Sequence, residues 1–293
     1  MKMESCSIAA HVIPGGDIGA DFASCKPASG EVALWWLGQA GFMFKSRSVS
    51  WIIDPYLSDY LAHKYRGTRF PHTRLQAPPI APGNLPPLDY YFCTHGHSDH
   101  MDPWTIQPIA NRRTRPRFVV PAAERDTAIS RGIPREALIA VNAPGRIQLS
   151  TALTVDILPA AHEDIEIDDT GHHRFLGYVF DVAGIRLYHS GDSVPFDGLG
   201  SLLRERRPHV AFLPTNGRDD NRRVQGIPGN FTVDEAIALC SDAEIPWLIP
   251  HHIEMFGFNT ERRETVIRHL TEGDRRWILP ELGVRYTVGA PES

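Results

Sequence analysis

Short apolar runs, broken by glycine, proline and polar turns, recur along this chain at a spacing that predicts strands alternating with modest helices. Strands are expected near 32 to 37, 41 to 45 and 50 to 54, with the polar turn Lys45-Ser46-Arg47-Ser48 between the second and third. Residues 66 to 88 hold Pro71, Pro78, Pro79, Pro82, Pro86 and Pro87, which predicts a long ordered loop, either a wall of a substrate cleft or a surface connection. Asp102-Pro103-Trp104 reads as a capped helix start running to about Arg112. Strand 118 to 120, a helix over Ala122 to Arg131, and strands 138 to 141 and 153 to 158 complete this half. The second half repeats the alternation. It has strands at 175 to 182 and 185 to 189, a helix at 198 to 206 and a strand at 209 to 213. A helix from Thr232 to Cys240 is capped by Thr232 with Glu235 in its first turn, and strand 246 to 249, helix 260 to 271 and strand 283 to 287 follow. Residues 1 to 30 lack clear periodicity and read as an irregular arm or short helix. Periodicity alone supports an α/β or α+β class.

Composition narrows the picture to one sizeable domain, residues 31 to 293, behind that 1 to 30 arm. At 293 residues and 42% hydrophobic, the chain can bury a large core. Thirty basic residues against 35 acidic ones give a net charge of −5, without the basic footprint of a nucleic-acid binder. Cys6, Cys25, Cys93 and Cys240 show no Cys-x-x-Cys spacing and do not resemble a disulfide framework, which suits a reducing cytosol. Met1 to Cys6 carries an early lysine but no apolar export core, and no run approaches the ~20 apolar residues of a membrane span. A cytoplasmic protein that binds neither nucleic acid nor membrane is expected; homo-oligomerisation stays open.

The chemistry concentrates in Thr94-His95-Gly96-His97-Ser98-Asp99-His100, directly after the apolar Tyr90-Tyr91-Phe92-Cys93. On an extended segment His95 and His97 point to one side and can grip one ion. Asp99 and His100 follow where the chain turns, in reach of a second ion about 3.5–4 Å away. Each ion needs further ligands. His162, Asp192 and His252 each lie just past a short apolar run, where a layered fold collects its chemistry on one rim.

With these residues in view the chain resembles the metallo-β-lactamase superfamily, and within it the L-ascorbate-6-phosphate lactonase-like metal-dependent hydrolases. Val32 to Phe42, with its Trp35-Trp36-Leu37-Gly38, looks like that branch's opening strand pair, and Ile53-Asp54-Pro55 like its next strand end. Leu187-Tyr188-His189-Ser190-Gly191-Asp192-Ser193 is similar to its bridging-aspartate segment. Ile249-Pro250-His251-His252 is similar to its final ligand segment, whose spacing selects His252. The resemblance implies an αββα sandwich of two mixed sheets flanked by helices. It also implies two divalent ions per chain: His95, His97 and His162 on one, Asp99, His100 and His252 on the other, Asp192 between them.

Imidazole and carboxylate ligands without thiolate suit Zn, Mn or Fe. Two such ions lower the pKa of a shared water and polarise a scissile group, so no serine or cysteine nucleophile is needed. Asp99 is also a candidate proton shuttle, the catalytic role assigned to it here. The expected activity is opening of a phosphorylated sugar lactone by a metal-bridged hydroxide. The alternative is a phosphodiesterase on a small or lipid-linked phosphodiester, and a metal-stabilised interaction module is a third reading. The substrate is expected to be a small anion. Asn216, Arg218 and Arg222, in a loop between two ligand segments, are its candidate grip, or else solvated charges paired with Asp219 and Asp220. His172, His173 and Arg174 form a second cluster. His189 reads as support for the aspartate turn, and His63, His72 and His209 as structural or surface residues. Of Trp35 and Trp36, one ring is expected in the core and one toward a face.

Overall fold

The computed structural model describes residues 6–291, so Met1 to Ser5 of the segment read for export signals lie outside the described residues. The first half of the chain runs β1 (Ser7–Val12), α1 (Ile18–Ser24), β2 (Glu31–Trp36), β3 (Phe42–Ser46), β4 (Ser50–Ile53) and α2 (Tyr60–Lys64). It continues through β5 (Tyr90–Phe92), α3 (Pro103–Ala110), β6 (Arg117–Pro121), α4 (Arg125–Ser130) and β7 (Leu138–Val141). The second half begins with three antiparallel strands, β8 (Gly145–Ser150), β9 (Leu153–Pro159) and β10 (Leu176–Val182). Then come β11 (Ile185–His189), α5 (Leu199–Arg206), β12 (Val210–Pro214), α6 (Asp220–Val224) and α7 (Val233–Asp242). The chain closes with β13 (Trp247–His251), α8 (Arg263–Glu272), β14 (Arg276–Trp277) and β15 (Val284–Gly289).

These strands form an eight-stranded sheet in the order β1-β15-β2-β3-β4-β5-β6-β7 and a seven-stranded sheet in the order β14-β13-β12-β11-β10-β9-β8. Both are mixed: β4 to β7 run parallel in one, β11 to β14 in the other, and every remaining pair is antiparallel. β12, Val-Ala-Phe-Leu-Pro, is buried at every position because it has a neighbour on both edges and is covered on both faces.

The sheets face each other through an aromatic interior. Phe44 stacks on Trp51 at 4.8 Å and meets Phe212 of the other sheet at 5.6 Å, while Phe92 meets Phe180 at 4.9 Å. On the outer side of the first sheet, Ile18 and Phe22 of α1 and Ile106 and Ile109 of α3 pack on Trp35, Ile52 and Phe118. Leu203 of α5, Leu239 of α7 and Val266 of α8 join the main core across the second sheet. The result is the expected four-layer αββα sandwich.

Trp35 and Trp36 alternate faces as a strand requires, yet both rings are core. Trp36 lies between the sheets, and Trp35 lies beneath α1 with its Nε1 donating to Asp21 Oδ2 at 2.9 Å.

Residues 7–24 differ from the irregular arm. β1 is paired along its length with β15, but as an edge strand it is exposed at nearly every position, so it shows no apolar alternation. The edge strand β8, the two-residue β14, and the five-residue α2 and α6 escaped sequence reading for the same reason: little apolar surface or too few residues for a period. The proline-rich loop is ordered as expected, tied down by an antiparallel bridge between Arg74 and Phe256.

Candidate metal centre

Four strand ends supply the centre. β5 runs into the His95 to His100 turn, β9 into His162, β11 into Asp192, and β13 into His252. All seven residues named from the sequence are brought together. The ligand atoms of His95, His97 and His162 lie within 4.8 Å of one another, as do those of His95, His100 and Asp192, and those of Asp99, His100 and His252. Asp192 sits between the groups. Its Oδ1 is 3.3 Å from His100 Nε2, and its Oδ2 is 3.2 Å from His252 Nε2 and 3.9 Å from His162 Nε2. Asp99 Oδ2 is 3.8 Å from both His100 Nε2 and His252 Nε2.

This geometry fits a pair of cations. Buried polar atoms normally have partners. Here His95 Nε2, His100 Nε2 and Asp192 Oδ1 are buried with no hydrogen-bond partner among the described residues. They converge, and once His100 gives up its proton they are a nitrogen and oxygen set suited to Zn, Mn or Fe. No thiol joins them: Cys93 is buried beside the motif, and burial pushes its thiol well above the usual range.

A layer behind the cluster orients it. Asp54, left-handed at φ 45° and fully buried, accepts from Thr94 N at 2.8 Å, Thr94 Oγ1 at 2.6 Å and His100 Nδ1 at 2.7 Å. Thr94 Oγ1 in turn accepts from His95 Nδ1 at 3.0 Å. Both rings thereby turn their Nε2 atoms inward, as metal-binding histidines do when the other nitrogen is hydrogen-bonded. In the sequence Asp54 reads only as a strand end. It too follows an apolar run, Trp51-Ile52-Ile53, the signal that singled out His162, Asp192 and His252.

Burial, reinforced by His100 and His97, lowers the His95 pKa well below the ordinary histidine value, and burial lowers that of His162 to about 4. His100 differs: burial opposes its charge, but Asp192, Asp54 and Asp99 together raise its pKa well above that value. A cation held there would take the place of that proton.

Tight turns fix the remaining groups. Gly191 has φ 63°, and a Cβ on it would stand 2.7 Å from the Thr94 Cβ. His189 supports this turn as expected, accepting from Gly191 N at 3.1 Å while its Nε2–H donates to the Ala40 carbonyl at 2.9 Å. Gln39 and His252 are also left-handed, at φ 50° and 61°. His252 N donates to the Gln39 carbonyl at 3.1 Å, and the Gln39 amide Nε2 lies 2.9 Å from both Asp99 Oδ2 and His252 Nε2. Non-glycine residues held in this region store strain of order 1–3 kcal/mol each and cluster where geometry must be enforced.

A cavity of about 530 Å³ opens above the cluster, with His97, Asp99, His162, Asp192 and His252 on its floor. Asn216, Arg218 and Arg222 do not line it. Arg218 is held by both oxygens of Glu235 at 2.6 Å, and Arg222 by Asp219 at 2.6 Å and the Asn216 carbonyl at 2.9 Å. Asn216 is buried, its amide donating to Asn259. Carboxylates of the fold have captured these guanidinium groups, and the three residues expected to form an anion grip stand outside the cavity. The second cluster is likewise spent on structure: His172 contacts Thr170, His173 contacts Asn142, and Arg174 pairs with Glu124. His72, read as structural or surface, is instead on the cavity wall with Tyr65, Phe70, Phe256 and Phe258. These wall residues carry no period in the sequence that could have marked them.

Comparison with known proteins agrees with this architecture. A UPF0173 metal-dependent hydrolase of Myxococcus xanthus is 28% identical over 209 residues, covering 69% of this chain and 67% of the relative. An N-acyl-phosphatidylethanolamine-hydrolyzing phospholipase D 1 of Caenorhabditis elegans is 24% identical over 180 residues, 57% of this chain and 49% of that protein. Among solved structures, Igni18, a metallo hydrolase of Ignicoccus hospitalis, shares the fold with a TM-score of 0.62 at 21% identity, covering 88% of this chain and 98% of its own. No helix among the described residues is long and apolar enough to cross a membrane. The beta-lactamase superfamily domain matches residues 51–253, more than half of the sequence, and the chain therefore belongs to the metallo-β-lactamase superfamily of metal-dependent hydrolases.

Proposed function

We propose that the protein opens a lactone by hydrolysis at a pair of divalent ions, Zn or Mn, with Fe as a further fit. His95, His97 and His162 would hold one, Asp99, His100 and His252 the other, and Asp192 both. The observation that carries this reading is Asp192, with one oxygen toward His100 and the other toward His252 and His162. When bound, such ions supply hydroxide near neutral pH and polarise the scissile carbonyl. Asp99, only 17% exposed, faces the cavity with Oδ2 accepting from the Gln39 amide. That hydrogen bond orients the carboxylate and leaves its other oxygen to carry a proton toward the leaving alkoxide. His97 and His162 on the floor, with the aromatic wall beside them, limit the water that reaches the reacting bond.

The lactone assignment is supported by the resemblance at Trp35 to Gly38 and Leu187 to Ser193. A second reading, hydrolysis of a phosphodiester, is favoured by similarity to the C. elegans phospholipase. A panel of lactones, phosphodiesters and β-lactams on metal-reconstituted protein separates them. Lactone turnover that a chelator abolishes supports the first. Cleavage of bis(p-nitrophenyl) phosphate with every lactone inert overturns it in favour of the second.

A further inference from the structure

The cavity above the centre has a chemical character that neither the ligand cluster nor the family membership specifies. One wall is aromatic, built of two sets of rings that meet edge-on. The Tyr65 ring stacks on His72 at 4.3 Å and 22°, His72 meets Phe258 edge-on at 4.8 Å, and Phe258 packs on Phe70 at 5.0 Å. This wall is anchored from behind. Arg74 donates to the carbonyls of Tyr56 at 2.9 Å and Ser58 at 3.2 Å, and Leu75 N donates to the Met255 carbonyl at 2.9 Å. Phe256 and Phe258, nearly parallel at 12°, form a preformed plate, and His72, edge-on to both, stands with Tyr65 across its end.

Three cations stand around the same cavity: Lys64, Arg69 and Arg131. Among the described residues none of them forms an ion pair, whereas Arg174, Arg218, Arg222 and Arg263 nearby are all paired. Lys64 Nζ lies over the Tyr65 ring at 5.0 Å, and the Arg69 guanidinium over Phe70 at 5.3 Å. Arg131 is held in place by the Met101 carbonyl at 2.7 Å. Unpaired positive charge gathered at one mouth, on a chain of net charge −5, draws in anions.

We propose that this cavity selects an organic anion with a planar, apolar body. The planar body lies on Phe258 with the Tyr65–His72 pair at its edge, and the acid group, remote from the hydrolysed bond, meets the cations lining the cavity, Lys64, Arg69 and Arg131. The inference rests on the hydrolase reading for the position of the reacting bond, but the subsite is defined by its own residues.

A matched pair of fluorescent probes tests it without turnover: 8-anilinonaphthalene-1-sulfonate, and N-phenyl-1-naphthylamine, which has the same aromatic body without the charge. On the metal-loaded full chain the sulfonate should bind at one site per molecule and more tightly than the neutral amine. Lys64→Ala combined with Arg69→Ala should weaken the sulfonate about five- to tenfold and leave the amine within about twofold. Phe258→Ala should weaken both by a similar factor, and Arg218→Ala should weaken neither. Equal binding of the two probes by the wild type, or sulfonate binding unchanged in the double variant, overturns the anion site. Phe258→Ala without effect on either probe overturns the aromatic plate. Because the readout is binding, a protein that hydrolyses no lactone yet shows this pattern keeps the subsite, and a hydrolysing protein without the pattern loses the subsite alone.

Discussion

Asp54 and His100 meet at 2.7 Å, Oδ2 to Nδ1, with both side chains fully buried. The contact commits the His100 Nε2 to the cluster, and through Thr94 the same carboxylate governs His95. Outer partners of metal-binding histidines typically contribute 10- to 100-fold in metal affinity. Asp54→Ala should weaken ion binding by about that factor, measured by chelator competition, although residue 54 touches no ion. Binding as tight as wild type in a folded variant removes Asp54 from the centre.

Two ions per chain are expected by elemental analysis after reconstitution. His95→Ala and His252→Ala should each lower the affinity of a different ion, leaving about one tightly held. A ligand that binds only the folded state at about 100 times its dissociation constant stabilises it by about 2.7 kcal/mol. Chelation should therefore lower the unfolding temperature of wild type more than that of either variant. Identical metal content in all three proteins contradicts the division into two groups.

Asp99→Asn should reduce kcat at least ~10²-fold if the carboxylate carries a proton, since general acid-base groups contribute at least that much. Gln39→Leu, which removes the orienting amide, should lower kcat less and leave the charge in place. Single-turnover kinetics with metal content measured in parallel separates the two effects. Wild-type kcat in Asp99→Asn at full occupancy would assign that residue to binding only.

Arg218→Ala should leave KM unchanged for every substrate, because the guanidinium is bound to Glu235 away from the cavity. Its cost should be structural and small, about 0.2–1 kcal/mol for a partly exposed pair, read by denaturant unfolding. A KM effect specific to a phosphorylated substrate would restore the arginine to the site.

His209 should make stability depend on acidity. Its Nδ1 accepts from Arg186 N at 2.9 Å, and burial, with Arg186 adding to it, lowers its pKa from 6.5 to about 4. Above pH 6.5 both folded and unfolded states hold the ring neutral and stability is complete. As pH falls from about 6.5 toward 4 only the unfolded chain takes up the proton, so stability declines, by about 2–3 kcal/mol from this residue. Unfolding titrations of metal-free wild type and His209→Asn across this range should differ by that slope. Parallel curves refute the assignment.

The sequence made most strands and the seven clustered residues legible because each strand that feeds the centre is interior and apolar, and each ends in a residue whose chemistry is rare there. The capped start at Asp102 and the Thr232–Glu235 capping box were readable because they are local: Asp102 accepts from Trp104 N at 3.0 Å, and Thr232 and Glu235 satisfy each other across one turn. Substrate recognition was not local. Glu235 is 17 residues from Arg218, and nothing in the loop 216 to 223 reveals that this carboxylate neutralises it. His72 is recruited to the cavity by Phe256 and Phe258, which follow it by more than 180 positions. β1 is legible only through its partner, since its pairing is made by backbone groups that carry no residue signature.

β15 lies between β1 and β2, so the two earliest strands are joined only through the last. During synthesis the edge of β2 waits unpaired until residues 284 to 289 leave the ribosome. His252, the last of the seven clustered residues, has by then already been made. All seven clustered residues thus precede, in order of synthesis, the strand that closes the first sheet along the seam between β1 and β2.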